Sequence, residues 1–124
     1  MKIFDFNKYG NAYKMKLEID SYLNGNLAIT MLVEKEDGWT PWNVLTVNLG
    51  FPLEKNIAYI DTNNNGDTIL AWITRNKLAV STGKRARSGF CSYPQYKFRE
   101  AALREIDPDG YERYLADHAA YEEE

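Results

Sequence analysis

The sequence predicts an α+β fold: an antiparallel sheet of about five strands, one short packed helix at 67–76 and a C-terminal helix at about 108–121. Three observations lead to this prediction. Apolar and polar residues alternate with the period of a strand over much of residues 13–60. The connections between these runs are short, which favours antiparallel pairing. Beyond residue 66 the apolar spacing becomes that of a helix.

Four strands are predicted before residue 62. The segment YKMKLEID (13–20) alternates large apolar with charged side chains, as a strand with one wet face does. Asn24-Gly25 follows it and is the dipeptide most typical of a tight hairpin turn, and Asp37-Gly38 predicts the next turn. The same alternation identifies three further strands at 27–36, 43–49 and 57–61.

The remaining elements follow from the change of period. DTILAWITRN (67–76) places its apolar residues on one side of a short helix. YPQYKF alternates again and predicts a last strand at 93–98. Asp107 followed by Pro108 is typical of a helix N-terminus, with a capping residue and then proline in the first turn.

The composition predicts a single domain over residues 1–124, with a core at about 13–98 and an acidic helical segment at 99–124. The longest apolar run, LAITMLV (27–33), is too short to span a bilayer. The N-terminal residues lack the apolar stretch of a signal peptide, and the single cysteine rules out an internal disulfide. We therefore expect a cytoplasmic protein that makes no use of a membrane.

Charge is strongly segregated near the C-terminus. Residues 75–99 contain seven basic residues and no acid, whereas residues 100–124 contain nine acids and two bases. Two interpretations follow. The acidic segment either lies against the basic one and partly neutralises it, or the two form separate faces for separate partners. The acidic candidates for binding a partner are Asp107, Asp109, Glu112 and Asp117.

The stretch GKRARSGFCSYPQY (83–96) is the strongest candidate for a binding surface. It predicts an exposed, glycine-hinged loop at 83–89 that runs into an edge strand. Because Pro94 cannot donate to a ladder, this strand should lie at an edge or begin at the proline. Phe90 and Tyr93 are expected to turn back to the core. The binding candidates are Lys84, Arg85, Arg87, Tyr93 and Tyr96, which together could hold nucleic acid by charge and stacking. The acidic pI of about 5.2 instead favours a protein partner.

No catalytic or metal-binding set is predicted. Cys91 lacks a partner base in the sequence pattern, and His118, the only histidine, lies in the predicted terminal helix among aromatic residues. DTNNNGD (61–67) resembles the start of a calcium loop, but its twelfth position, which needs a bidentate glutamate, is Trp72. We therefore interpret 61–67 as a turn and expect neither an enzyme nor a cofactor.

An ordered series of short motifs resembles a small family classed as a domain of unknown function, carried on plasmids and conjugative elements of Gram-positive bacteria. The motifs are NGNLAI (24–29), LTVNL (45–49), IDTNN (60–64), TG (82–83) and SGFCSYP (88–94). The resemblance covers about residues 13–98. It implies an accessory protein of mobile DNA, and such proteins often inhibit host defence nucleases, as anti-CRISPR and antirestriction proteins do.

Two functions follow from the resemblance and the charge pattern. The first is a non-enzymatic inhibitor that binds a host nuclease through charged surface, for which the acidic segment is suited. The second is a nucleic-acid-binding accessory factor that uses the basic residues of 83–99. Polar residues shared with the family pattern either form a common polar site or satisfy the backbone at strand ends; they are Asn48, Asp61, Asn63 and Asn64, together with Thr46.

Overall fold

The computed structural model describes residues 1–122 and contains eight strands and four helices over that range. The strands are β1 (Phe4–Lys8), β2 (Asn11–Ser21), β3 (Leu27–Lys35), β4 (Gly38–Val44), β5 (Thr46–Val47), β6 (Ile57–Ile60), β7 (Ala79–Ser88) and β8 (Cys91–Phe98). The helices are α1 (Thr62–Asn65), α2 (Thr68–Arg75), α3 (Glu100–Ile106) and α4 (Pro108–Glu122). Within the described range, no helix combines the length and the apolar character needed to cross a membrane.

The strands form two four-stranded sheets in the orders β1-β2-β3-β4 and β5-β6-β8-β7, and every pair is antiparallel. The predicted α+β class with antiparallel strands is confirmed. The strand count differs, because β1 and β7 were not predicted and the segment 43–49 is divided between two strands. In place of the single predicted sheet of about five strands, the structure has two sheets of four strands each.

Leu45 marks the point where the chain passes from one sheet to the other. Its N–H donates to Ile29 O of β3 at 2.8 Å, and its carbonyl accepts from Asp61 N, just after β6, at 2.9 Å. The Leu45 side chain is completely buried. A strand that changes sheets in this way lets two packed sheets share one core.

One hydrophobic core draws on both sheets and on helices α2, α3 and α4. On β2 and β3 every second side chain is buried, which is the alternation that predicted these strands. Trp72 of α2 packs edge-to-face on Phe4 and Phe6 of β1, with ring centroids 5.5 and 5.7 Å apart. Its indole N–H donates to Asp5 O at 2.9 Å, so the polar tip of this buried ring has a partner.

Both predicted helices are present close to their predicted bounds, at Thr68–Arg75 and Pro108–Glu122. The interpretation of 61–67 as a plain turn was incomplete. Thr62–Asn65 forms a single helical turn because Asp61 Oδ1 accepts from Asn64 N at 3.0 Å and so caps its N-terminus. Helix α3 was not predicted.

The turn between β2 and β3 lies at Asn24-Gly25, as predicted, although its loop is longer than two residues. Gly25 has a φ of 83°, and its N–H donates to Tyr22 O at 2.8 Å. Helix α4 packs against this turn: a Cβ on Gly25 would lie 3.0 Å from Tyr121 Cβ. The turn and the C-terminal helix therefore constrain each other.

Candidate functional site

The outer part of the β7–β8 hairpin, residues 84–94, extends beyond the rest of its sheet; we call it the basic arm. Strand β6 pairs with β8 only from Gln95 to Lys97, whereas β7 continues to pair with β8 as far as Ser88 opposite Cys91. The arm is therefore a two-stranded ribbon over most of its length. Helix α1 packs on β8, the strand that continues into the arm.

The prediction of an exposed loop at 83–89 is wrong, because residues 83–88 belong to the paired strand β7 and only Gly89 lies in the turn that follows it. The hydrophobic pattern of β7 gave no sign of a strand, since side chains on both faces are exposed over most of its length. The register shifts between Ser81 and Arg85, and Gly83 within that irregularity has a φ of 80°. This extra length behaves as a bulge, which bends the ribbon at the base of the arm.

Because of Pro94, strand β8 was predicted either to lie at an edge or to begin at the proline, but it begins at Cys91 and is a central strand, with β7 at the edge. Pro94 is tolerated because it lies one residue beyond the part of β8 that pairs with β6. At that position β8 is paired on one side only, opposite Arg85. The missing proline N–H therefore costs no ladder hydrogen bond on the β6 side.

The basic side chains of the arm lie on its surface. Arg85 and Arg87 are two residues apart on β7 and so project from the same face of the ribbon. Arg85 lies across to the neighbouring strand, where its Nε donates to Ser92 Oγ at 3.0 Å and a terminal nitrogen donates to Ser92 O at 2.9 Å. Within residues 1–122, no ion pair involves Lys84, Arg85 or Arg87.

The acidic segment thus does not neutralise the basic arm over the described range. Four of its carboxylates, those of Glu100, Glu105, Glu112 and Glu122, instead lie next to Lys2, Arg104 or His118. Three neighbouring cations without a counter-charge repel one another, and an anionic partner would relieve that repulsion. The interpretation of two separate charged faces fits the structure better than mutual neutralisation.

Phe90 stands at the tip of the arm and is fully exposed (102%), so the expectation that it turns back to the core was wrong. Gly89 and Phe90 form the turn between Ser88 and Cys91, with Gly89 at a φ of 62°. A two-residue turn projects its side chains away from the sheet. An exposed aromatic ring therefore lies close in sequence to two cations, Arg85 and Arg87.

Tyr93 and Tyr96, the aromatic binding candidates, are buried, with 9% and 8% of their surface exposed. The influence of the nearby Cys91 thiol raises the pKa of Tyr93. Tyr93 lies opposite Ala86, on the face of the ribbon that Arg85 and Arg87 do not share. Neither ring is presented for stacking, so the aromatic contribution of the arm comes from Phe90.

Asp107, one of the acidic binding candidates, has a structural role. Its side chain is buried (7% exposed), and its two oxygens accept from Ile19 N at 3.0 Å and Gly110 N at 3.1 Å. Asp107 therefore caps the N-terminus of α4 and attaches the start of that helix to β2. A carboxylate with both oxygens used in this way is not available to a partner.

The other acidic candidates lie on the surface of α4. Glu112 pairs with Arg104 at 2.6 Å, and Asp117 accepts from Ser21 Oγ at 2.5 Å. Asp109 is exposed. These three carboxylates remain accessible, although two of them already have partners within the chain.

The family to which the chain belongs is shown by a family model that matches residues 16–118. The chain belongs to the DUF4313 family, described as a domain of unknown function. The match continues past residue 98, where the motif resemblance ends, and includes α3 and most of α4. No curated protein and no solved structure matches the chain.

In this DUF4313 chain the proposed polar site is divided between two structural clusters. Asn48 belongs to an amide cluster that holds the 48–53 loop against the β2–β3 turn. Its Oδ1 accepts from Asn26 Nδ2 at 3.1 Å, and its Nδ2 donates to Asn24 Oδ1 at 3.2 Å. Asn26 in turn accepts from Leu53 N at 2.9 Å.

Asp61 and Asn64 form the second cluster, at the start of α1. Both Asp61 oxygens accept from Asn64, one from its backbone N–H and the other from its side-chain amide at 2.7 Å. Asn63 is exposed. Thr46 Oγ1 accepts from Ile29 N at 3.2 Å. Thr46, Asp61 and Asn48, whose Oδ1 also accepts from Gly50 N at 3.3 Å, thus each accept from a backbone N–H, which favours the interpretation that these three side chains satisfy the backbone.

Sequence reasoning missed a buried polar cluster that attaches α4 to the DUF4313 core. Asn56 N donates to Tyr114 Oη at 2.9 Å, and Tyr111 Oη donates to Asn56 Oδ1 at 3.0 Å. Burial raises the pKa of Tyr114 to about 12 and also raises the pKa of Tyr111. Asn56 has a φ of 69°, a conformation that asparagine adopts more readily than most residues.

The residues considered for catalysis have different surroundings. Cys91 is half-buried at the end of the basic arm. His118 is buried on α4, and its Nδ1–H donates to Gly25 O at 3.2 Å. Among the described residues, no three His, Cys, Asp or Glu side chains lie close enough together to hold a metal ion.

Proposed function

We propose that this protein is a non-enzymatic accessory factor that binds nucleic acid through the basic arm. One observation carries the proposal: Lys84, Arg85 and Arg87 are exposed on a projecting ribbon and form no ion pair within residues 1–122. Two-stranded ribbons with basic side chains fit the grooves of duplexes. The resemblance to plasmid-borne proteins supports a role in mobile DNA.

Phe90 strengthens the case for nucleic acid over a generic anion. An exposed aromatic ring at the tip of a cationic ribbon can stack on an unpaired base or insert between two stacked base pairs. A protein surface rich in carboxylates offers the ring no such flat apolar partner. The cations supply affinity without sequence information, because they contact phosphates. We therefore expect binding with little sequence preference.

Fluorescence anisotropy with short single- and double-stranded DNA and RNA at two salt concentrations tests this proposal. Each phosphate contact releases counterions, so three contacting cations predict a salt slope of about −2 to −3. The double variant R85E/R87E should lose binding while its melting temperature holds. The matched control K35E/K55E changes the net charge equally at two exposed lysines outside the arm and should keep most of the affinity.

A second candidate function is an inhibitor that binds a host defence nuclease. It is favoured by the exposed outer surface of α4, where Asp109, Glu112 and Asp117 offer carboxylates to a basic partner. The absence of any DNA or RNA binding at low salt would overturn the nucleic-acid proposal. Pull-down of a nuclease by the wild type, but not by D109K/E112K, would then support the inhibitor.

The proposal that no catalysis is involved has its own test. Nucleic-acid binding should survive Cys91→Ala and His118→Gln, since neither residue belongs to the cationic face of the arm. Loss of function in either variant with an unchanged melting temperature would indicate chemistry at that residue.

A further inference from the structure

A cavity of about 480 Å³ lies between β1 and the start of α2, away from the residues of the basic arm. Phe6, Ile69 and Trp72 contribute apolar surface to it, and Lys8, Asn65 and Arg75 contribute polar surface. This volume is within the range of small-molecule sites, which combine apolar walls with a few convergent polar groups. None of the predicted binding residues lines it.

Lys8 and Arg75, 67 residues apart in sequence, bring two positive charges to this one cavity. Neither takes part in an ion pair within residues 1–122. The cavity's acidic residue, Asp5, has its carboxylate 2.5 Å from Lys14 Nζ. The cavity therefore has a net positive charge that no carboxylate lining it compensates.

The Lys8 ammonium is held in place before any ligand arrives. Its Nζ donates to Asn65 O at 3.1 Å and lies over the Tyr9 ring, with 5.4 Å between Nζ and the ring centroid. Two further N–H donors of this group remain for a ligand. A side chain fixed in this way loses little conformational entropy on binding.

One further feature favours a ligand that carries a hydrogen-bond donor as well as a negative charge. Asn65 is buried (5% exposed), and its Oδ1 has no hydrogen-bond partner among the described residues. Its Nδ2 already donates to Val44 O and Asp61 O, which fixes the orientation of the amide.

We propose that this cavity binds a small phosphorylated molecule that carries hydroxyl groups. The phosphate lies between Lys8 and Arg75, and the rest of the ligand lies against Phe6 and Trp72. A ligand hydroxyl, or a water that arrives with it, donates to Asn65 Oδ1. Charge-assisted hydrogen bonds to the phosphate supply most of the selectivity.

The test uses adenosine 5′-monophosphate as the probe and uncharged adenosine as its matched control. The indole N–H resonance of Trp72 reports on this cavity, because that group donates to Asp5 O. We expect a saturable shift with the monophosphate and none with adenosine. K8M and R75Q should each weaken binding about tenfold, as expected for loss of one charge-assisted contact.

Further variants make the result decisive. K55M removes a charge from an exposed lysine outside the cavity and should leave the affinity unchanged. Because the Arg75 side chain is exposed, R75Q keeps the test valid if K8M unfolds. R85E/R87E should bind the monophosphate normally, which separates a free phosphorylated ligand from phosphates of a nucleic acid held by the arm. No saturable shift, or equal weakening in K55M, would overturn the proposal.

Discussion

Asp107 connects two distant parts of the molecule through one carboxylate. It accepts hydrogen bonds from the first turn of α4 and from β2, 88 residues earlier in the chain. Gly110 is equally constrained, because a Cβ at that position would lie 2.2 Å from Asp107 Oδ2 and 2.5 Å from Ile19 O. The start of α4 therefore depends on residue identity at both positions.

Asp107→Ala should lower the free energy of unfolding by about 3 kcal/mol, because two buried N–H groups lose their acceptor. Asp109→Ala is the matched control, with the same side chain removed two residues away at an exposed position. It should cost less than about 1 kcal/mol, the value of a charge near a helix N-terminus. Urea unfolding monitored by tryptophan fluorescence measures both, and equal costs would contradict the capping role.

Because of Tyr114, the free energy of unfolding should fall as the pH rises through the alkaline range. Its pKa is about 12 in the folded protein, above the ordinary value of 10, so the folded state holds its proton more tightly than the unfolded state. The stabilisation is complete below pH 10 and is lost as the pH rises from 10 to 12. Linkage predicts a loss of about 2 kcal/mol over that interval.

Urea unfolding at several pH values between 9 and 12 tests this prediction. Tyr114→Phe should be less stable than the wild type at neutral pH, because Asn56 N loses its acceptor. The variant should also show a shallower decline above pH 10. An unchanged decline would assign the effect to other groups, such as Tyr111 and Tyr22, whose pKa values burial also raises.

Among the elements, those with a strong local signal were predicted well from the sequence. Asn24-Gly25 located the β2–β3 turn, and Asp107 with Pro108 located the start of α4. Strand β7 was missed because its side chains are mostly exposed, so pairing with β8 and not amphipathicity determines it. Local composition carries no information about such a partner, which lies in a different segment.

The candidate site was predicted in part for the same reason. The charge pattern identified the three cations of the basic arm, because their exposure follows from composition. It did not reveal that Phe90 is exposed or that Tyr96 is buried, since strand register decides which way each side chain points. Lys8 and Arg75 share a cavity only through the tertiary packing of β1 on α2.

The contact of α4 with the β2–β3 turn gives a prediction for Gly25. Gly25→Ala introduces a side chain at a φ of 83° and places its Cβ 3.0 Å from Tyr121 Cβ. Gly10→Ala is the matched control, because Gly10 has a φ of 77° and no atom within 4 Å of the added Cβ. Backbone strain should cost about 1–2 kcal/mol in both variants.

Gly25→Ala should cost about 1–2 kcal/mol more than the control, owing to overpacking against α4. Urea midpoints at constant m-value provide the comparison. Equal costs would show that α4 moves aside without penalty, which would contradict close packing at this turn.

For the whole molecule, the C-terminal helices are part of the core and not an addition to it. Leu103, Ile106, Tyr111 and Tyr114 are completely buried and belong to the same cluster as the residues of both sheets. The family match through residue 118 agrees with this, since it includes the same helices. The domain therefore needs more of its chain than residues 13–98.

A chain ending at residue 98 should fail to fold cooperatively. It would expose the faces of β2 that α3 and α4 cover and would leave Asn56 without its tyrosine partners. We expect loss of the near-ultraviolet circular dichroism signal and binding of a hydrophobic dye. A cooperative urea transition in the truncated chain would contradict this prediction.

The contact between His118 and Gly25 also bears on how the protein is made. These residues are 93 positions apart, so the β2–β3 hairpin leaves the ribosome long before the helix that covers it. At about 5–20 residues per second, the delay is about 5–20 s. During that interval the apolar face of β2 has no helix over it, so the nascent chain exposes hydrophobic surface that the finished protein buries.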